Sequence, residues 1–169
     1  DYLDDPVEVM GLIRNGDRPN LFVTRTFSKI YGLAGLRIGY GVGHPEFIAA
    51  LEKVREPFNV NSLAQAGAAA ALDDDEHLGR TRAVNAAGLE YFRVALRKLG
   101  IKYVPSSGNF ILARVGDVGS VFAELQKRGV ITRPVAGYGL PEWLRISVGT
   151  PAQNERCVAA LGEIVRREE

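Results

Sequence analysis

Hydrophobic and polar positions divide the chain into alternating helical and extended stretches. Leu21-Phe22-Val23-Thr24 is a short apolar run of the kind that forms a buried strand, and Leu36 to Val42 alternates like a second strand broken by glycines. Between them, Ser28 to Leu36 reads as a turn-rich loop. Pro6 to Asn15 suits a helix, with Asp5 as cap, Pro6 at its first position and Val7, Met10, Leu12 and Ile13 as apolar face. His44-Pro45 opens another, carrying Phe47, Ile48, Leu51 and Val54. After the break at Pro57, the alanine-rich stretch from Ser62 to Leu72 predicts a thin helix suited to close packing, and Asp73-Asp74-Asp75 a polar stop.

Helical spacing returns from about His77 to Leu99 through Val84, Leu89, Phe92 and Leu96, with Gly100 just past its end. The texture then changes. Lys102 to Pro105 and Asn109 to Val115 read as strands joined by a Ser106-Ser107-Gly108 turn. Val121, Phe122 and Leu125 mark a short helix ending at Gly129, Val130-Ile131-Thr132 begins another strand, and Trp143 to Val148 alternates as a strand. Thr150-Pro151-Ala152-Gln153 is a capping box that leads into the apolar stripe Val158, Leu161, Ile164 and Val165. The organisation is therefore two blocks with a seam near Asp73 to Glu76, expected as domains 1–72 and 73–169.

Composition narrows the class. The 169 residues are 46% hydrophobic and 24% charged, as in a globular protein, and 21 basic against 20 acidic side chains give a net charge of +1. That balance supplies no general attraction to nucleic acid or an acidic membrane, and no apolar run is long enough to span a bilayer. Cys157 is the single cysteine, and His44 and His77 are the two histidines, too few for a disulfide framework or a cysteine- or histidine-rich metal site. The expectation is a cytoplasmic domain with no metal. Its opening residues, which lack an initiating Met, read as the continuation of something upstream.

Lysine is scarce: Lys29, Lys53, Lys98, Lys102 and Lys127 are all there are, and the other sixteen basic residues are arginine. Four of the five fall on amphipathic helices or beside a turn, where solvation explains them. Lys29 instead follows an apolar strand directly, in Thr24-Arg25-Thr26-Phe27-Ser28-Lys29, and precedes the glycine-rich Tyr31-Gly32-Leu33-Ala34-Gly35-Leu36-Arg37. An amine that reacts with a carbonyl needs a low-dielectric, positively charged setting. A phosphate needs hydroxyl and backbone donors and a forked cation. Thr26, Ser28 and Arg37 around Lys29 offer both; the ordinary alternative is a surface lysine in a turn near an arginine.

Thr26-Phe27-Ser28-Lys29 followed by Gly32-Leu33-Ala34-Gly35-Leu36-Arg37-Ile38-Gly39-Tyr40 closely resembles the cofactor-lysine region of fold-type I, pyridoxal-phosphate-dependent aminotransferases of class I/II, and within them the histidinol-phosphate aminotransferase branch. Pro57-Phe58-Asn59-Val60-Asn61, Ser107-Gly108-Asn109-Phe110 and Leu144-Arg145-Ile146-Ser147-Val148-Gly149-Thr150 resemble further motifs of the family, in the right order. The resemblance implies an α/β fold: the C-terminal part of the large cofactor-binding α/β domain, then a small α+β domain. It implies that Lys29 carries pyridoxal 5'-phosphate and, once released by substrate, shuttles the proton between the substrate α-carbon and the cofactor C4′. Thr26, Ser28 and Arg37 would hold the cofactor phosphate, Arg145 the substrate α-carboxylate and Arg133 a substrate phosphate. Asn109 would position Arg145 or bond backbone, and Tyr40 and Tyr138 are either pocket-lining or core.

The implied reaction is transamination between histidinol phosphate and 2-oxoglutarate, giving imidazole-acetol phosphate and glutamate, in histidine biosynthesis, by a homodimer acting on small amino-acid and 2-oxo-acid substrates. Members of the family carry upstream an aspartate for the pyridine nitrogen and a tyrosine for the 3-hydroxyl, which this stretch lacks, so it describes the C-terminal half of an enzyme and an incomplete site. Three rivals stand beside this reading. One is a sister activity, an aromatic-amino-acid aminotransferase or threonine-phosphate decarboxylase. Another is a non-catalytic fragment or interaction module. The third is a dinucleotide-binding protein, prompted by Gly39-Tyr40-Gly41-Val42-Gly43.

Overall fold

The computed structural model describes Tyr2, residues 9–16 and residues 18–165. Within them the chain divides into two compact units, one running to Arg80 and the other beginning at Thr81.

In the first unit, helix α1 (Val9–Arg14) precedes strand β1 (Phe22–Thr26), which pairs antiparallel with β2 (Gly39–Gly43) in the register Phe22↔Gly43 to Thr26↔Gly39. The expected caps of the first helix, Asp5 and Pro6, lie outside the described residues. The second strand starts three residues later than the alternation at Leu36 predicts. A 3-10 turn, Ala34–Leu36, occupies that place and is closed by Arg37 in the left-handed region, at φ 53° and ψ 50°. The glycines of β2 answer to packing, since a Cβ on Gly41 would strike the Phe22 ring and one on Gly39 would lie 2.6 Å from the Arg25 carbonyl oxygen. Their strand pairs antiparallel with β1 in a two-stranded sheet, not in the parallel sheet of a dinucleotide-binding unit, which removes that rival's basis.

Helix α2 (Pro45–Glu52) starts with Pro at its first turn. Helix α3 (Ser62–Leu72) has the predicted bounds; Asn61 caps it, its Oδ1 accepting the Ala64 N–H at 2.8 Å. Ala64 and Ala68, one turn apart, are its buried residues. Helix α4 (Asp75–Lys98) begins two residues before His77, because Asp74 Oδ1 accepts the His77 N–H at 2.9 Å and starts the helix there.

The second unit is built on a four-stranded antiparallel sheet in the order β3 (Tyr103–Val104), β4 (Phe110–Arg114), β6 (Leu140–Ser147), β5 (Arg133–Val135). Helices α5 (Val118–Lys127) and α6 (Pro151–Val165) complete it. Period-2 alternation puts Ile111, Ala113, Leu144 and Ile146 on one sheet face, where they join a core with Phe92, Leu96, Val121, Leu125 and Leu161. Each large side chain fully buried this way contributes about 1.5–3 kcal/mol.

The helix ends here are well determined. Gly100 (φ +69°) and Gly129 (φ +69°) take the left-handed conformation after α4 and α5. Ile101 N–H donates to the Leu96 carbonyl and Val130 N–H to the Leu125 carbonyl, each at 2.9 Å, the long closing bond of a Schellman motif. At α6 the capping box is reciprocal: Thr150 N–H donates to Gln153 Oε1 at 2.8 Å and Gln153 N–H to Thr150 Oγ1 at 3.4 Å.

Three sequence expectations shift. The strand at Val130-Ile131-Thr132 forms instead at Arg133–Val135, because Val130 N–H is taken by the end of α5. The strand from Lys102 to Pro105 keeps two paired residues. Helix α5 begins three residues before Val121, where Asp117 Oδ1 accepts the Ser120 N–H at 3.2 Å.

Candidate active site

In the first unit, the segment from Thr26 to Arg37 folds back on itself around two anchors. Phe27 is 3% exposed and Ile30 fully buried, so the residues between them, Ser28 and Lys29, are turned outward. Phe27 packs against the rings of Tyr31 and Tyr40, at centroid distances of 4.8 and 5.8 Å. Its N–H donates to the Ile38 carbonyl and its carbonyl accepts the Leu33 N–H. Gly32, at φ +71°, lets the chain turn sharply enough for its N–H to reach the Lys29 carbonyl at 2.9 Å.

Thr26, Ser28 and Arg37 come together. Thr26 Oγ1 accepts the Ser28 N–H at 3.1 Å, and Ser28 Oγ accepts from Arg37 Nη1 at 3.4 Å. The same Nη1 donates to the Ala34 carbonyl at 2.6 Å, fixing the plane of the guanidinium. Its other nitrogens have no protein acceptor among the described residues. A left-handed conformation costs a non-glycine residue of order 1–3 kcal/mol, and Arg37 adopts it with its guanidinium donating to the Ser28 hydroxyl. Two hydroxyl donors and a clamped fork match the chemistry of a phosphate dianion. Lys29, on the same turn, is exposed.

In the second unit, Arg145 on β6 and Arg133 on β5 are direct cross-strand partners. Like charges opposite each other on a sheet destabilise it, and here the two cations share one face of the β5–β6 pair. Arg145 is half-buried, its Nε is buried with no hydrogen-bond partner, and its guanidinium carbon lies 5.4 Å from the centroid of the Phe110 ring on β4. The ring holds one face of the fork by cation–π attraction. Arg133 is exposed.

Asn109 stands just before β4, and its carbonyl accepts the Val148 N–H at 2.9 Å, a backbone role at the end of β6. Tyr138, 72% exposed, belongs to a 3-10 turn after β5, and Tyr40 is 45% exposed, so neither is core.

The other recognised motifs do local structural work. Asn59 Oδ1 accepts from Arg55 Nη1 at 3.0 Å, and Asn61 caps α3. Gly149 is bracketed by Asn154, whose Oδ1 accepts its N–H at 2.8 Å and whose Nδ2 donates to its carbonyl at 3.2 Å. Two residues escaped sequence reasoning. Asn85, 7% exposed on α4, donates through Nδ2 to the Gly108 carbonyl at 3.0 Å and so holds the turn leading to Asn109 and Phe110. His77 Nε2 lies 3.0 Å from the Ile30 carbonyl. An asparagine in an apolar helical stripe was the available signal for the first; the second has none, since 47 residues separate its partners.

An outward lysine beside two hydroxyls and a clamped guanidinium accords with an aminotransferase of class I and II. The chain belongs to that family, whose model matches residues 4–161. It is 59% identical over 147 residues to histidinol-phosphate aminotransferase 1 of Thiobacillus denitrificans, covering 87% of this chain and 38% of the relative. It is 48% identical over 165 residues to histidinol-phosphate aminotransferase of Akkermansia muciniphila, covering 98% and 45%. Among solved structures, it resembles histidinol-phosphate aminotransferase from Sinorhizobium meliloti in complex with pyridoxal-5'-phosphate, with a TM-score of 0.79 and 32% identity over 90% of this chain and 43% of that one. The chain thus spans about two fifths of the length of these relatives.

Proposed function

We propose that this chain is the C-terminal portion of a pyridoxal-phosphate-dependent histidinol-phosphate aminotransferase. It would interconvert histidinol phosphate and 2-oxoglutarate with imidazole-acetol phosphate and glutamate. In this reading residues 1–72 are the remainder of the large cofactor-binding domain and 73–169 the small domain. The observation that carries it is the Arg133–Arg145 cross-strand pair with the unsatisfied buried Nε of Arg145, a double cation suited to substrates bearing carboxylate or phosphate. The relatives at 48–59% identity support the particular substrate, and family membership supports a cytoplasmic homodimer.

Pyridoxal phosphate, when bound, supplies a conjugated ring that delocalises the electron pair left at the substrate α-carbon when its proton departs. Thr26, Ser28 and Arg37 would hold its phosphate, with Arg37 already oriented by the Ala34 carbonyl. Lys29 would hold the cofactor through its amine and, once displaced by substrate, would carry the proton between the substrate α-carbon and the cofactor C4′. Arg145 orients the α-carboxylate of glutamate or 2-oxoglutarate by two parallel N–H···O bonds, and Arg133 beside it adds charge for the phosphate of the other substrate pair.

The longer protein, purified with its upstream half, is expected to be yellow, and Lys29→Ala to abolish the absorption of the bound cofactor. Arg145→Ala is expected to weaken amino-acid and oxo-acid substrates together with cofactor uptake intact. Arg133→Ala is expected to lose activity on phosphorylated substrates selectively. A protein that takes up no pyridoxal phosphate overturns the reading, and an equal loss on phosphorylated and plain substrates removes Arg133 from the phosphate.

A further inference from the structure

Lys29 projects from a turn that nothing on its own side chain restrains, so the turn itself must be fixed from behind. Ile30, the next residue, is fully buried, and its carbonyl faces the imidazole of His77, with Nε2 at 3.0 Å. A carbonyl can only accept, so Nε2 carries the hydrogen in this contact. The backbone of His77 is itself placed. Asp74 accepts the His77 N–H and places the residue in the first turn of α4. A Cβ added to Gly32 would lie 3.9 Å from both Cε1 and Nε2 of the ring. The imidazole thus rests against the Lys29–Gly32 turn closed by the Gly32 N–H···O=C Lys29 bond.

We propose that His77 is a positioning residue for Lys29. Its Nε2–H tethers the Ile30 carbonyl to the start of α4 and holds the backbone of the lysine turn in the one conformation that presents the amine and the Ser28 hydroxyl outward. Without the donor, a buried carbonyl is left unsatisfied, and the turn relaxes to recover a bond with water. Phe27 and Ile30 anchor the turn by burial, which is non-directional. The His77 bond adds direction, which an amine delivered to one atom requires. The inference rests on Lys29 being the cofactor-bearing lysine.

The test uses the longer protein with two substitutions. His77→Phe keeps the ring volume and removes the donor, whereas His77→Gln keeps an amide donor at similar reach. Two quantities are read: the dissociation constant of pyridoxal phosphate, and amide hydrogen exchange of residues 27–36 in the cofactor-free protein. His77→Phe is expected to weaken cofactor binding about fivefold and to speed exchange of the Gly32 and Leu33 amides by a similar factor, the size of one net hydrogen bond. His77→Gln is expected to recover most of both. Wild-type exchange and affinity in His77→Phe overturn the proposal. So does a Gln variant that recovers neither, since that makes the ring's volume, not its donor, the cause. If even the wild type takes up no cofactor, the functional reading fails, and the exchange rates alone then decide whether His77 holds the turn.

Discussion

The two units of this chain handle burial in opposite ways. The one beginning at Thr81 closes a core of sixteen buried residues around a four-stranded sheet, with Phe92, Leu96, Ile111, Val121, Leu125, Leu144 and Leu161 fully enclosed. The one ending at Arg80 carries a two-stranded sheet and, among its described residues, buries Phe27, Ile30, Ala64 and Ala68, while Val54, Phe58 and Leu63 are 77%, 99% and 77% exposed. Yet Lys29 and the Thr26–Ser28–Arg37 cluster lie in this sparsely buried unit. A two-stranded sheet is marginal in water without further strands or a covering layer.

The largest effect should come from cutting the chain between the units. Residues 81–169 expressed alone are expected to unfold cooperatively in urea, and residues 1–80 to show no cooperative transition by circular dichroism. A sharp transition in the shorter piece would break the comparison. At single-residue scale, Phe92→Ala should cost about 3–5 kcal/mol by leaving a cavity in the core, whereas Phe58→Ala, at a fully exposed site, should stay within about 0.5 kcal/mol. Paired denaturation curves on the intact chain would decide it; equal losses would mean that the first unit also depends on its apolar side chains.

The smallest effect concerns pH. Hydrogen bonds from Lys127 and Arg128 hold the Glu124 carboxylate down to about 2 from its ordinary 4.5. A depressed carboxylate contributes stability above its unfolded value, and that stability is lost as pH falls from about 4.5 toward 2. Glu124→Gln should flatten this part of the acid limb of the second unit, most visibly at low salt. An unchanged limb in thermal melts between those pH values would show that the ion pairs contribute nothing there.

Local grammar was legible wherever the interactions span only a few residues. The bounds of α3, the Thr150–Gln153 box and the glycine stops after α4 and α5 all follow from bonds within one helical turn. Boundaries slipped where a neighbouring element competed for the same backbone group. Leu36 reads as strand by alternation, but the 3-10 turn that lets Arg37 reach Ser28 takes its place. Val130 reads as strand by its β-branch, but its N–H closes α5. For the site, Lys29 stood out by scarcity and context, and Thr26, Ser28 and Arg37 by their nearness in sequence. Asn85 and His77 did not stand out, because their partners lie 23 and 47 residues away.

By itself, then, the sequence determined most of the helices, the glycine stops after α4 and α5, the Thr150–Gln153 box and the alternation of the strands, all of which depend on short-range sterics and hydrogen bonding. Only the tertiary structure decided that Arg133 stands opposite Arg145, that Phe110 lies against the Arg145 guanidinium, and that His77 backs the lysine turn. Those relations are set by strand register and by packing between elements distant along the chain. Both are fixed by which apolar faces find a common core, and no local spacing encodes that choice.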